Sequence, residues 1–343
     1  MRTGVWLLLL LICTLFSCNN DPRHISRSFY FWKHELRFNE ADQKLIDSLN
    51  IQRLYIKFFD VKWERNANQP IPVADITFTD AVPDHLEIIP VVFITNETFI
   101  KINNEEIKTL ALKISKRIED ILNENKLKTP GEIQLDCDWS ESTKEKYFLL
   151  IDEMKKYPVW KDVKWSATIR LHQVKYFEQT GVPPVDRGML MFYNMGNIEE
   201  STSNNSIYDE EIALNYVKSI SAYPLVLDAA IACFSWGLLF DGNELLKIFY
   251  PLYEYELPDS LFSREGNEIF IAKKNFYFEG QFMVEGNRIR LETMSPELSE
   301  QSAKLLAANL NNDDRSVILY HFDPIILNRF HYEGFENIFT AFE

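Results

Sequence analysis

Two periodicities alternate along the chain. Eight segments read as strands: Ser28–His34, Arg53–Val61, Glu87–Thr95, Glu132–Asp138, Lys164–Arg170, Gly188–Met195, Pro224–Ala230 and Ser316–Phe322. They are short and rich in β-branched and aromatic residues. Helices are predicted between most of them, at Glu40–Leu49, Glu105–Asn123, Thr143–Lys156, Gln173–Gln179, Asp209–Ile220 and Pro296–Leu310. In the second of these, Ile107, Leu110, Ile114, Ile118 and Ile121 recur at three- and four-residue steps, which places them on one buried face. Ser142 with Glu145 forms a capping box. Ser295-Pro296 supplies an N-cap followed by proline at the first helical position.

Strand–helix alternation of this kind predicts an α/β chain folded as a (β/α)₈ TIM-like barrel. An open doubly wound sheet is the alternative. Its nucleotide-binding form needs a glycine-rich turn after the first strand, and Trp32-Lys33-His34-Glu35-Leu36 has no glycine. One stretch breaks the alternation. After Ser235-Trp236-Gly237 a helical piece is expected, then strands at Glu268–Ala272, Asn275–Val284 and Arg288–Glu292, turned at Glu285-Gly286-Asn287. This reads as an antiparallel β insertion after strand seven, over about 250–293. The polar run Glu199–Ser206 reads as a loop after strand six.

Composition fits one large core: 46% of the 343 residues are hydrophobic and 14% aromatic. The net charge of −15 excludes nucleic acid, whose phosphates need clustered Lys and Arg. The first residues lie outside the fold. Arg2 precedes the apolar run Val5–Phe16, which is too short to cross a bilayer; polar Asn19-Asn20-Asp21 follows. That is a secretory signal. Ser17-Cys18 resembles the cleavage site of bacterial lipoprotein signals, although Phe16 is bulkier than the residue usual there. The resemblance implies a signal at 1–17, lipidation of Cys18 and a tether at 18–27, with the barrel at 28–343. It also implies a lipid-anchored place in the bacterial cell envelope, the outer membrane rather than the inner. Cys137 and Cys233 are too few for a disulfide framework and read as buried thiols.

Candidate chemistry centres on strand four. Alternation puts Ile133, Leu135, Cys137 and Trp139 on one face and Gln134, Asp136 and Asp138 on the other. Two carboxylates on one face need partners or solvent. In strand two the same alternation turns Tyr55, Lys57 and Phe59 inward, which makes Lys57 a partner for Asp136. Further inward candidates are Thr168 and Arg170 on strand five, Tyr193 on strand six, Asp228 on strand seven, and His321 and Asp323 on strand eight. His34 and Glu35 follow strand one. Carboxylates about 6–7 Å apart along a strand raise one another's pKa and suit the acid–base pair of glycoside hydrolysis. Asp138 is then the acid or base and Asp136 its electrostatic partner. Trp139, Phe192, Tyr193 and Trp236 are candidate sugar-stacking rings, against the plain alternative that they are core. The equally plain alternative for Lys57 and Asp136 is an ion pair that fixes barrel register. No His spacing suits a metal and no cofactor is implied.

Leu135-Asp136-Cys137-Asp138-Trp139 resembles the strand-four signature of chitinase-type glycoside hydrolases, Asp-x-x-Asp-x-Asp-x-Glu. Met191-Phe192-Tyr193-Asn194 resembles their strand-six Met-x-Tyr-Asp. Ile133 stands for the first Asp, Ser140 for the catalytic Glu and Asn194 for the last Asp; Glu141 lies one place late. The resemblance implies that Asp136, Asp138 and Tyr193 contact substrate, and that a proton donor is lacking unless Glu141 substitutes. Phe29-Tyr30-Phe31-Trp32, Leu54–Asp60, Ile133–Asp138 and Val185–Gly196 together resemble a family of bacterial envelope proteins of unknown function with a glycosidase-like barrel. The expected function is glycoside-hydrolase-like action on, or recognition of, an envelope or dietary polysaccharide. The alternatives are a non-catalytic glycan-binding or envelope-assembly lipoprotein, and a structural partner of another envelope component.

Overall fold

A computed structural model describes residues 25–201, 205–312 and 314–343. Cys18 and the expected signal lie outside the described residues, as do residues 202–204 of the expected polar loop.

Eight parallel strands close into a barrel. They are β1 (Ile25–Phe31), β2 (Arg53–Glu64), β3 (Glu87–Ile94), β4 (Glu132–Asp136), β5 (Lys164–Arg170), β6 (Arg187–Met191), β7 (Leu227–Ala232) and β8 (Arg315–Tyr320). Each pairs with its sequence neighbour, and β1 pairs with both β8 and β2 to complete the ring. All eight sequence-predicted strands are present. β1 starts earlier than expected: Ile25–Arg27 belong to the strand, not to a tether. Ile25, Ser26 and Arg27 pair with Arg315, Ser316 and Val317, and Arg27 is held by Glu336 at 2.6 Å and Glu343 at 2.7 Å.

The outward faces pack on the surrounding helices. Helix Asn104–Glu124 buries Ile107, Leu110, Ile114, Ile118 and Ile121, the face its spacing predicts. The helix Pro324–Thr340 was not anticipated. Asp323 caps it, accepting from the Ile325 N–H at 2.8 Å, and Pro324 takes the first helical position. Its Phe335 meets Phe29 of β1 edge-on at 5.3 Å.

The insertion is larger than its strand pattern implied. It starts at Ser235, directly after β7. The segment expected to be helical is a hairpin, Ser235–Asp241 against Glu244–Phe249. The turn is Asp241-Gly242-Asn243, with Gly242 at φ 57°, a conformation that favours glycine. Arg288–Thr293, Ile269–Ala272 and Phe262–Glu265 extend this to a five-stranded antiparallel sheet. Leu239, Phe249, Leu252, Phe270 and Ile289 give it a small core of its own.

Glu292 fastens this insertion to the barrel. Its side chain is fully buried and ion-pairs with Arg290 at 2.8 Å. It also accepts from the Trp236 indole N–H at 2.7 Å and from the Ser206 hydroxyl at 2.5 Å. A buried carboxylate with three donors is stable only while all its partners remain. Glu292→Ala strands Arg290 and is expected to cost about 3–5 kcal/mol in urea unfolding. A loss under about 1 kcal/mol would mean that the pair contributes little to the fold.

Candidate active-site pocket

The barrel lumen is polar along β4. Glu132, Gln134 and Asp136 all point inward and all are buried. Glu132 accepts from the Ser166 hydroxyl at 2.5 Å and from the Tyr55 hydroxyl at 3.2 Å. One layer up, Gln134 accepts from the Tyr30 hydroxyl at 2.5 Å and donates to Ser166 at 3.2 Å. At the top, Asp136 accepts from the Thr168 hydroxyl at 2.6 Å and lies 3.6 Å from the Arg170 guanidinium. Arg170 also bonds Asp138 through Nε, and its Nη2 lies 3.4 Å from the second Asp138 oxygen. Burial raises the pKa of Glu132 and of Asp136, against the opposing pull of Ser166 on the first and Arg170 on the second. Burial alone would lower Arg170, yet Asp136 and Asp138 hold it above its ordinary value.

Above this ladder the strand ends open into a pocket of about 320 Å³. Asp136, Asp138, Arg170 and Asn194 give it polar groups, and Trp32, Tyr193, Phe234, Trp236, Tyr250 and Tyr320 give it ring walls. The pocket lies at the carboxyl ends of the strands, where TIM-barrel active sites sit. The insertion contributes Trp236, Ile248 and Tyr250, so the added sheet forms one side of the opening.

The candidate residues separate into those at the pocket and those elsewhere. Asp136, Asp138, Arg170, Tyr193, Asn194 and Trp236 line it. Lys57 does not pair with Asp136. A register shift in β2 between Lys57 and Phe59 interrupts the alternation, and the ammonium meets Asp60 at 2.9 Å. Asp228 is at the opposite end of the barrel. It sits at the start of β7, bound by Arg187 at 2.6 and 2.7 Å and by the Ser316 N–H at 2.7 Å. His321 and Asp323 lie past the end of β8 and do not line the pocket; Tyr320, the last residue of the strand, does. His321 is buried, which lowers its pKa to about 4, and Asp323 pairs with Lys33. Glu141, His34 and Glu35 are exposed and do not line the pocket. Trp139 is buried behind the barrel, stacked on Tyr147 at 5.1 Å, and Phe192 packs against Tyr208. Sequence reasoning missed Trp32, Phe93, Phe234, Tyr250 and Tyr320. The inward parity of β3 and β8 marks Phe93 and Tyr320; nothing local marks Phe234 or Tyr250. Among the described residues no group of three His, Cys, Asp or Glu side chains is placed to hold a metal ion.

Comparison of the fold with solved structures decides its type. The spore cortex-lytic enzyme SleL of Bacillus cereus superposes with a TM-score of 0.55 at 12% identity, over 94% of this chain and 75% of that one. A chitinase from Chromobacterium violaceum gives 0.53 at 8% identity, over 92% and 99%. A mutant class V chitinase from Nicotiana tobaccum, in complex with NAG4, gives 0.51 at 12%, over 93% and 99%. The barrel has the chitinase-type fold. No family model matches the chain, and no curated protein matches it.

Asp136 has a measurable signature. Because burial raises its pKa, the folded state favours the protonated carboxyl. That contribution is complete below the ordinary value of 3.8 and is lost as pH rises through the raised one. Asp136→Asn keeps the shape and cannot ionise. Its melting temperature relative to wild type is expected to rise from acidic to neutral pH. A difference that stays flat across that range would show that ionisation of Asp136 costs the fold nothing.

Proposed function

We propose that this protein recognises carbohydrate in the ring-walled pocket, through Asp136, Asp138, Arg170, Tyr193, Asn194 and Trp236. The observation that carries the reading is the pocket itself. Polar groups converge on one side of a partly apolar cavity, at the catalytic end of a chitinase-type barrel. Flat rings suit the apolar faces of sugars, and carboxylate and guanidinium suit their hydroxyls.

Recognition is favoured over hydrolysis by what occupies the donor positions. Ser140 stands where chitinase-type enzymes carry their proton donor. Its hydroxyl is engaged with Ser142 at 3.0 Å and Thr143 at 3.2 Å. Glu141 is exposed outside the pocket, and both Asp138 oxygens face Arg170. One observation supports a second reading, hydrolysis. Asp136 faces the pocket, and burial favours its protonated form, the state a general acid requires. In that reading Asp136 takes the role that the strand pattern gave to Asp138.

The proposal includes an envelope address, with the lipid anchor on Cys18 and the outer membrane as the site. It rests on the signal-like sequence of residues 1–20.

The test is a glycan array followed by titration of intrinsic fluorescence, since Trp32 and Trp236 both border the pocket. Tyr250 is 42% exposed; Tyr250→Ala, checked for folding by thermal melting, is expected to weaken binding about tenfold, or 1.4 kcal/mol. Binding that is insensitive to Tyr250→Ala would move the ligand elsewhere, and no binding to any glycan would sink the reading. Released sugar from wild type, absent with a folded Asp136→Asn protein, would establish hydrolysis.

A further inference from the structure

Charge in the pocket is unbalanced. Asp136 and Asp138 both line it, and Arg170 is the one cation among the described residues that do. Arg170 serves both carboxylates. Lys57 lies close by, with its ammonium 5.7 Å from the Trp32 ring, but it is bonded to Asp60. Lys62 closes on the other Asp60 oxygen at 3.1 Å from a half-exposed position, where solvent screens it. When both pocket aspartates are ionised, one negative charge lacks a cation of its own. Burial raises the pKa of Asp136, and the negative charge of Asp138 adds to that against the pull of Arg170. The walls add a second attraction, because ring faces draw cations through their quadrupoles. A neutral sugar would use the rings and leave the charge unanswered.

Resting on the glycan reading above, we propose that the sugar held here is a hexosamine with a free ammonium group, its charge set against Asp138 and Asp136 and its ring against the aromatic wall. An N-acyl group would remove that charge and put a neutral amide in its place. A plain hydroxyl at the same carbon would be equally uncharged.

Three tetrasaccharides with one β-1,4 backbone isolate the effect: glucosamine tetramer, N-acetylglucosamine tetramer and cellotetraose. They carry ammonium, acetamide and hydroxyl at the same carbon. Calorimetry on the purified full-length protein at about pH 6 keeps the amine protonated. The glucosamine tetramer is expected to bind about tenfold or more tighter than either of the others. Asp138→Asn is expected to cut this preference below about threefold, and raised salt to shrink it in wild type, which covers the case where the variant fails to fold. Equal binding of all three, or tighter binding of the acetamide form, would overturn the ammonium assignment and leave glycan recognition standing. Choline bound as tightly as the glucosamine tetramer would overturn the sugar half of the proposal. No binding by any of the three tetramers would overturn the proposal and count against glycan recognition as well.

Discussion

The structure depends on one constraint: the polar side chains of β4 are buried and must find partners inside the barrel. Glu132, Gln134 and Asp136 occupy successive inward positions, and a buried polar group without a partner costs more than the bond it would make. Three other strands of the ring therefore supply hydroxyls at matching heights. Tyr30 comes from β1, Tyr55 from β2, and Ser166 and Thr168 from β5. These bonds pin the register of the ring, since a one-residue slip would turn every donor outward. The ladder is closed at the bottom and open at the top. Asp136 is its last fully buried rung, and Asp138 is the first that meets solvent.

The insertion completes what the barrel begins. A barrel rim alone offers strand ends and loops; here a sheet of five strands stands beside it and contributes rings. Trp236 is the junction. One side of its ring borders the pocket while its N–H is held by Glu292, and Glu292 also holds Ser206 in the loop after β6. Asn194 is tied to that loop by its own N–H, which donates to Ile207 at 2.7 Å. Two polar anchors thus position three parts of the pocket wall, and the sheet's separate core lets them do so without disturbing the lumen.

Much of this was legible in the sequence, and the failures have physical reasons. Short runs rich in β-branched and aromatic residues located all eight strands, because a barrel strand buried on both faces reads as a near-continuous apolar run. The polar face of β4 stood out against that background. Height along the barrel axis was less legible. Asp228 has the correct inward parity but lies at the start of its strand, not the end, and a run of apolar residues does not show where pairing begins. Lys57 was misassigned because a bulge changes the parity after it. His321 and Asp323 lie past the end of β8, where strand alternation no longer applies, and Asp323 caps the next helix. The hairpin after Gly237 was hidden because Leu238-Leu239-Phe240 suits a buried helix as well as a strand. The Asp241-Gly242 turn was the signal that distinguishes them.

The loop after β4 bears on whether such a barrel retains chemistry. At Ser140 the chain is built as a structural turn. The Ser140 N–H donates to the Thr143 hydroxyl at 2.9 Å, the Thr143 N–H returns to the Ser140 carbonyl at 3.0 Å, and Thr143 reaches Asn96 at 2.7 Å. This network joins the loops after β3 and β4 and starts the helix Lys144–Lys155. The bonds made by residue 140 in this network are main-chain ones; an acid there would lose only the Ser140 hydroxyl contacts to Ser142 and Thr143. It is the Thr143 side chain that links the segments after β3 and β4. Among the rungs of the ladder, Asp136 is the one where burial and access to the pocket coincide.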